Sequence, residues 1–416
     1  MEKTLHTLGE KAQIAARKMA VAGTKSKDEA LVAMAEALVS QSVSIIEANK
    51  KDLVLAKEKN ITVAMLDRLM LNEQRIYEMA EGLKALISLP DPIGETVAMW
   101  KRPNGLEIGQ VRVPLGVIGI IYEARPNVTT DATGLALKTG NAVILRGGSE
   151  AFHSNQVIVE VLRKALANTA IPIDAVQLVP YTDREAATIL MRMNRYIDVL
   201  IPRGGAGLIK TVIENSTVPV IETGTGNCHV YVDENADYNM AVEIIINAKT
   251  QRPAVCNAME KLLIHHAEAS SFLPIIEREL LAIGVELRAC PESMKYLTSA
   301  IPAQEEDWQT EYLDLILAVK TVDNIDSAID HISRYGTKHS EAIVTPDYAR
   351  ARKFLAEVDA AAVYINASTR FTDGNQFGLG AEMGISTQKL HARGPMGLKA
   401  LTSIKHIIYG NGQVRE

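Results

Sequence analysis

Between Pro114 and Val220 short apolar runs alternate with amphipathic stretches, and this alternation restricts the possible folds more than any other feature of the chain. The runs cover residues 117–122, 142–145, 175–179 and 197–201. Between and after them, the spacing of apolar residues predicts helices over 129–138, 154–167, 183–191 and 206–214. Strands that are apolar on both faces need cover on both faces, so the pattern predicts a parallel sheet sandwiched by helices. A nucleotide site is expected beyond the carboxyl ends of such strands. The order repeats after Asn227, with strands expected at 230–232, 262–264, 315–319, 342–344 and 361–365. Helices are expected there at 237–248, 268–281, 324–333 and 348–357. The chain is therefore α/β with two parallel-sheet domains.

Two other regions frame this core. The first 90 or so residues read as helical, with Ser26 capping a long helix through Ala48 and another helix over 72–87. Residues 96–112 read as two extended runs around Pro103-Asn104-Gly105, a hairpin signal. Residues 403–409 look like an isolated terminal strand, which must pair somewhere; the hairpin is the expected partner, and the resulting arm could meet another subunit.

The net charge of −6 argues against nucleic-acid or anionic-membrane partners. The longest apolar run, 113–122, is interrupted by Pro114, Gly116 and Gly119 and is too short to span a bilayer. The charged, amphipathic first 22 residues do not read as a signal peptide. Three separated cysteines form neither a disulfide framework nor a zinc cluster, which fits a reducing cytoplasm, and no histidine spacing suggests a metal.

Several segments could carry chemistry. Cys256, in Gln251-Arg252-Pro253-Ala254-Val255-Cys256, is either a small buried hydrophobe or a thiolate favoured by Lys249 and Arg252. Arg146-Gly147-Gly148-Ser149 and Arg203-Gly204-Gly205 each follow an apolar strand and precede a helix. Glycines there permit close approach of a ligand to the backbone, although Gly-Gly also marks ordinary turns. Neither is a G-x-G-x-x-G fingerprint or a P-loop. Asn127 reads as a turn or cap residue, or as an amide donor into a cleft. Glu222-Thr223-Gly224-Thr225-Gly226-Asn227 marks the crossover between the domains.

In this order the features resemble the aldehyde dehydrogenase superfamily over essentially the whole chain. Pro114-Leu115-Gly116-Val117 followed by Asn127, Gly140-Asn141 leading to Arg146, Glu222-Thr223-Gly224, Cys256, Glu311 and Phe377-Gly378 are similar to its landmarks. The resemblance implies a catalytic nucleophile at Cys256 and an oxyanion donor at Asn127. It implies cofactor contacts at Arg146, Gly147, Gly148, Ser149, Arg203, Gly204, Gly205, Glu311 and Phe377. Residues 322–343, 122–127 and 251–258 are similar to the branch that reduces glutamate 5-phosphate rather than oxidising aldehydes. That branch implies NADPH, a homo-oligomer, and the kinase that makes the acyl phosphate as a candidate partner. Ser149, where NAD-preferring relatives carry glutamate, permits a 2′-phosphate beside Arg146. Arg125, Arg252, Arg334 and Lys338 are the candidate substrate cations, and Glu222 has no assigned role. The expected division is a cofactor-binding domain (1–95 and 113–225), a catalytic domain (226–400), and an oligomerisation arm (96–112 and 401–416). An oxidising dehydrogenase and a non-catalytic scaffold are the competing readings.

Overall fold

A computed structural model describes residues 1–59, 61 and 63–415. The chain divides into two compact units: residues 1–223, 378–384 and 396–416, and residues 224–377 with 385–395.

The first unit opens with helices α1 (Glu2–Met19), α2 (Thr24–Ser40), α3 (Ser42–Glu58), α4 (Val63–Leu69) and α5 (Glu73–Ile87). Ser26 is not a cap, because α2 already begins at Thr24 with Gly23 in the capping position. Nor does one helix run through to Ala48: the chain bends by 67° between α2 and α3. The bend has a packing reason. A straight continuation would carry Ile45 and Ala56 away from the unit, whereas both are buried in it. Asn72 caps α5 by accepting from Arg75 N at 2.8 Å. No single helix among the described residues is long and apolar enough to cross a membrane.

After the hairpin strands β1 (Thr96–Lys101) and β2 (Glu107–Pro114) come β3 (Val117–Tyr122), α6 (Pro126–Lys138), β4 (Ala142–Gly147), α7 (Phe152–Leu166), β5 (Val176–Leu178), α8 (Arg184–Leu190), β6 (Val199–Arg203) and α9 (Ala206–Asn215). The four strands β3–β6 form a parallel sheet in the order β5-β4-β3-β6. All six residues of β3 are buried, as a strand covered on both faces requires. The Pro-x-Gly-Val and Gly-Asn segments turn out to be staples of this sheet. Gly116, at φ +123°, leaves no room for a Cβ beside Asp198, whose carboxylate accepts from Val117 N at 2.7 Å. Asn141 accepts from Gly116 N at 2.8 Å and donates to the Leu401 carbonyl at 3.0 Å.

The second unit contains β7 (Cys228–Val232), α10 (Tyr238–Thr250), β8 (Met259–His265), α11 (His266–Ala282), β9 (Glu286–Ala289), β10 (Ile301–Pro302), β11 (Ile316–Val322), α12 (Ile325–Tyr335), β12 (Ser340–Val344), α13 (Tyr348–Glu357) and β13 (Ala362–Ile365), with a small ribbon of β14 (Ile385–Ser386) and β15 (Gly394–Pro395). Its seven-stranded sheet runs β10-β9-β11-β8-β7-β12-β13, and every adjacent pair is parallel. Strands β9 and β10 escaped the pattern reading because they are short and mix charge with apolar residues at the sheet margin.

The terminal strand β16 (Thr402–Tyr409) pairs antiparallel with β2, completing a three-stranded arm β1-β2-β16. The expected boundaries need correction at the carboxyl end. Residues 378–384 and 396–400 cluster with the first unit, not with the second, and the arm clusters there as well. Across this return Met383 N donates to the Met396 carbonyl at 2.9 Å and Met396 N to the Gly384 carbonyl at 2.8 Å, and Gly380 lies against Leu89. These contacts join segments far apart in sequence, so no local pattern announces them.

Candidate active site

In the first unit the expected loops lie at the carboxyl ends of the strands. Beyond β3, Ala124 adopts φ +23° and Pro126 opens α6. This puts Asn127 in the first helical turn, exposed, with its amide Nδ2 donating to Asp131 Oδ2 at 3.0 Å. Burial raises the Asp131 carboxyl to about 6, while the Asn127 hydrogen bond and the charge of Arg203 pull the other way. One amide hydrogen of Asn127 is thus committed and the other is left to point elsewhere.

Beyond β4, Arg146 donates from Nη2 to the carbonyls of Thr182 (2.7 Å) and Asp183 (3.1 Å). Three buried polar atoms here have no partner: Arg146 Nε, Asn155 Nδ2 and Glu150 Oε2. A Cβ on Gly147 would lie 2.1 Å from Asn155 Nδ2, and one on Gly148 would lie 2.2 Å from Glu150 Oε2. Orphaned polar groups around side-chain-free backbone suit a polar ligand such as a nucleotide. Ser149 is exposed, and its hydroxyl donates to Glu150 Oε1 at 3.3 Å. A carboxylate therefore stands beside the position that permits a 2′-phosphate. Beyond β6, the Gly204–Gly205 loop already holds an anion: Glu123 Oε2 accepts from Gly205 N at 2.9 Å.

In the second unit the critical loop lies at the amino end of a strand, joining α10 to β8. Cys256 is partly exposed there, whereas Cys228 and Cys290 are buried, and all three are free thiols. The loop backbone is closely held. Cys228 Sγ donates to the Cys256 carbonyl at 3.2 Å, and burial raises the Cys228 thiol well above its ordinary range, keeping it a donor. Gly226 packs so tightly that a Cβ would fall 1.4 Å from the Cys256 carbonyl oxygen. Gly226 N in turn donates to Glu311 Oε1 at 2.7 Å, so Glu311 braces the same strand start. Asn227 donates to the carbonyls of Trp308 and Tyr335, both at 2.8 Å.

The four substrate-cation candidates separate. Arg334 pairs with Glu305 at 3.7 Å and Lys338 with Asp359 at 3.5 Å, so both charges are already met by surface carboxylates. Arg125 precedes α6 in the first unit, and Arg252 is exposed in the Cys256 loop. Arg370 went unnoticed in the sequence because it lies 113 residues beyond Asn257, to which its turn is bonded. Phe377 is exposed at the edge of the second unit.

His229, His331 and His339 belong to the core. Burial, with help from the Lys261 charge, lowers His229 to about 3; burial alone lowers His339 to about 4. His331 is lowered to about 2 by burial and by neighbouring His229 and Lys320. Rings held neutral inside packed structure are structural, not proton carriers.

A model of the aldehyde dehydrogenase family matches residues 4–288, more than half of the 416-residue chain. The chain belongs to that family. More narrowly, it is 63% identical to the gamma-glutamyl phosphate reductase of Moorella thermoacetica over 99% of both chains, and 60% identical to that of Carboxydothermus hydrogenoformans over the whole of both. The crystal structure of gamma-glutamyl phosphate reductase from Thermotoga maritima superposes with a TM-score of 0.97 at 51% identity, covering 99% of this chain and all of that one.

Proposed function

We propose that this chain reduces L-glutamate 5-phosphate to L-glutamate 5-semialdehyde with NADPH, releasing phosphate, as the second step of proline biosynthesis. The names of its full-length relatives support the substrate, and one observation carries the chemistry: of the three thiols Cys256 alone is not buried, on a loop whose backbone is fixed by Cys228 and Gly226.

The Cys256 thiolate attacks the acyl carbonyl. The oxyanion is taken by the Asn127 amide and the Cys256 backbone N–H, a donor of this kind being worth about 3–4 kcal/mol in the transition state. Phosphate departs and a thioester remains. NADPH, when bound, supplies the hydride that reduces it. Collapse of the resulting thiohemiacetal returns the thiolate and frees the aldehyde. Arg146, Gly147, Gly148 and Ser149 would hold the nucleotide, and the orphaned polar atoms beside them support that role. Arg203, Gly204, Gly205, Glu311 and Phe377 complete the proposed cofactor set by family resemblance. Glu123 already occupies the Gly205 N–H, so an anion there must displace it or bind beside it.

In this reading the first unit binds the cofactor, the second carries the nucleophile, and the reaction runs in the reducing cytoplasm. The arm is the proposed contact between subunits, supported by its exposed Met99, Trp100, Ile408 and Tyr409. The kinase that makes the unstable acyl phosphate is the proposed further partner. Cys256→Ser should abolish turnover and leave NADPH affinity nearly unchanged, and semialdehyde oxidation by the wild type should depend strictly on phosphate. Turnover by the serine variant would assign the nucleophile elsewhere; phosphate-independent oxidation would favour the oxidising dehydrogenase.

A further inference from the structure

Arg370 lies in a short turn, Thr369–Phe371, far along the chain from the nucleophile. Four hydrogen bonds nevertheless fasten that turn to both flanks of the Cys256 loop. Thr369 Oγ1 donates to the Asn257 carbonyl at 2.8 Å, and Asn257 Nδ2 donates to the carbonyls of Thr372 (2.9 Å) and Arg370 (3.4 Å). On the other flank, Arg370 Nε donates to Gln251 Oε1 at 2.9 Å. Asn257 is itself buried, so this attachment is part of the packed structure. The guanidinium is held by its Nε edge, and among the described residues no carboxylate lies within ion-pair distance of it or of Arg252. Arg334 and Lys338, by contrast, are already paired.

We infer that Arg370, together with Arg252, forms the site for the substrate's phosphoryl group, a dianion, and that it takes up charge as phosphate leaves. The inference rests on the proposed reaction at Cys256 and extends it. Charge and position both favour the phosphoryl group over the α-carboxylate. The bridging oxygen of the phosphoryl group is bonded directly to the attacked carbonyl carbon, whereas three carbons intervene between that carbon and the α-carboxylate. Arg370 is attached to the nucleophile loop itself. Burial and the nearby Arg252 charge both disfavour the Arg370 cation, while the Cys256 sulfur and, more weakly, the Asp373 carboxylate and the Cys228 sulfur favour it. Two mutually repelling cations are better satisfied by a dianion than by a single carboxylate, and a guanidinium fork suits phosphate oxygens. In the step, the sulfur–carbon bond forms, the carbon–oxygen bond to phosphate breaks, and its electron pair leaves on the phosphate. The proton given up by the Cys256 thiol balances the one phosphate gains.

The test uses the full chain and inorganic phosphate. In phosphate-dependent oxidation of the semialdehyde, Arg370→Gln should raise the KM for phosphate by about 10- to 100-fold, the range of a lost charge-assisted contact. The KM for the semialdehyde should stay near the wild-type value, and Arg370→Lys should recover part of the loss. Without cofactor, phosphate should slow alkylation of Cys256 by iodoacetamide in the wild type and no longer do so in Arg370→Gln. Arg252→Gln should shift the phosphate KM in the same direction, which guards against a folding defect peculiar to position 370. A rise confined to the semialdehyde KM would mean that Arg370 reads the α-carboxylate and would overturn the inference, as would unchanged phosphate protection. Activity retained by Cys256→Ser would instead remove the underlying reaction.

Discussion

Replacing Gly226 by alanine adds a single methyl group, yet it should disable the enzyme. An ideal Cβ at that position lies 1.4 Å from the Cys256 carbonyl oxygen, 2.3 Å from its carbonyl carbon and 2.7 Å from its Cα. All three are backbone atoms, so no rotamer change can relieve the overlap. Reaching even 3.0 Å from the oxygen requires a relative movement of 3.0 − 1.4 = 1.6 Å. The other side of the contact resists, because Gly226 N is bonded to Glu311 and the Cys256 carbonyl to Cys228. The nucleophile loop must therefore yield. A displacement of about 1 Å in a reacting group can cost about 100-fold in rate, so kcat should fall at least that far, about 2.7 kcal/mol of activation free energy. The assay is steady-state reduction of glutamate 5-phosphate beside the alkylation rate of Cys256. Gly207→Ala is the control, since a Cβ there meets nothing within 4 Å. Wild-type turnover in Gly226→Ala would refute the claim that this contact positions the nucleophile.

Three further outcomes are expected. Asn127→Ala should lower kcat by about 100- to 1000-fold with little change in KM, because an oxyanion donor acts chiefly in the transition state; a loss confined to KM would deny it that role. His339 is fully buried, and the gap between 6.5 and about 4 corresponds to at most about 3 kcal/mol. The unfolded chain protonates this ring below 6.5 and the folded chain does not, so its contribution is complete above pH 6.5 and is lost as the pH falls toward 4. The urea midpoint of His339→Gln should accordingly vary less over that window than the wild-type midpoint, and equal slopes would count against the assignment. The wild type should prefer NADPH to NADH, and Glu150→Gln should widen the preference about 2- to 5-fold by removing a carboxylate beside Ser149; equal use of both cofactors by the wild type would undo the cofactor proposal.

Local pattern was enough for the elements whose residues all obey one rule. Strand β3 was legible to the residue because a run of six residues with no charged side chain, Val117–Tyr122, fits a strand covered on both faces. The hairpin was legible because Asn104-Gly105 meets the backbone demand of a tight turn, with Gly105 at φ +89°. Cys256, Asn127 and the Arg146–Ser149 loop stood out in the sequence as candidates because each sits at a strand or helix end within a familiar segment. The break after α2 was not, since no proline or glycine marks it and only packing against the rest of the unit demands it.

What the amino-acid order determined by itself was the repeated strand–helix rhythm, the arm, and the residues that could bear the chemistry. The tertiary structure decided which of those residues are available. Among the described residues it sequestered two thiols and four histidines, paired Arg334 and Lys338 with carboxylates, and filled the Gly205 site with Glu123. It also tied Arg370 to the Cys256 loop and held Cys256 by its carbonyl. The reason is physical: periodicity reports which face of an element is buried, whereas burial of a given charge or thiol depends on groups brought from more than a hundred residues away.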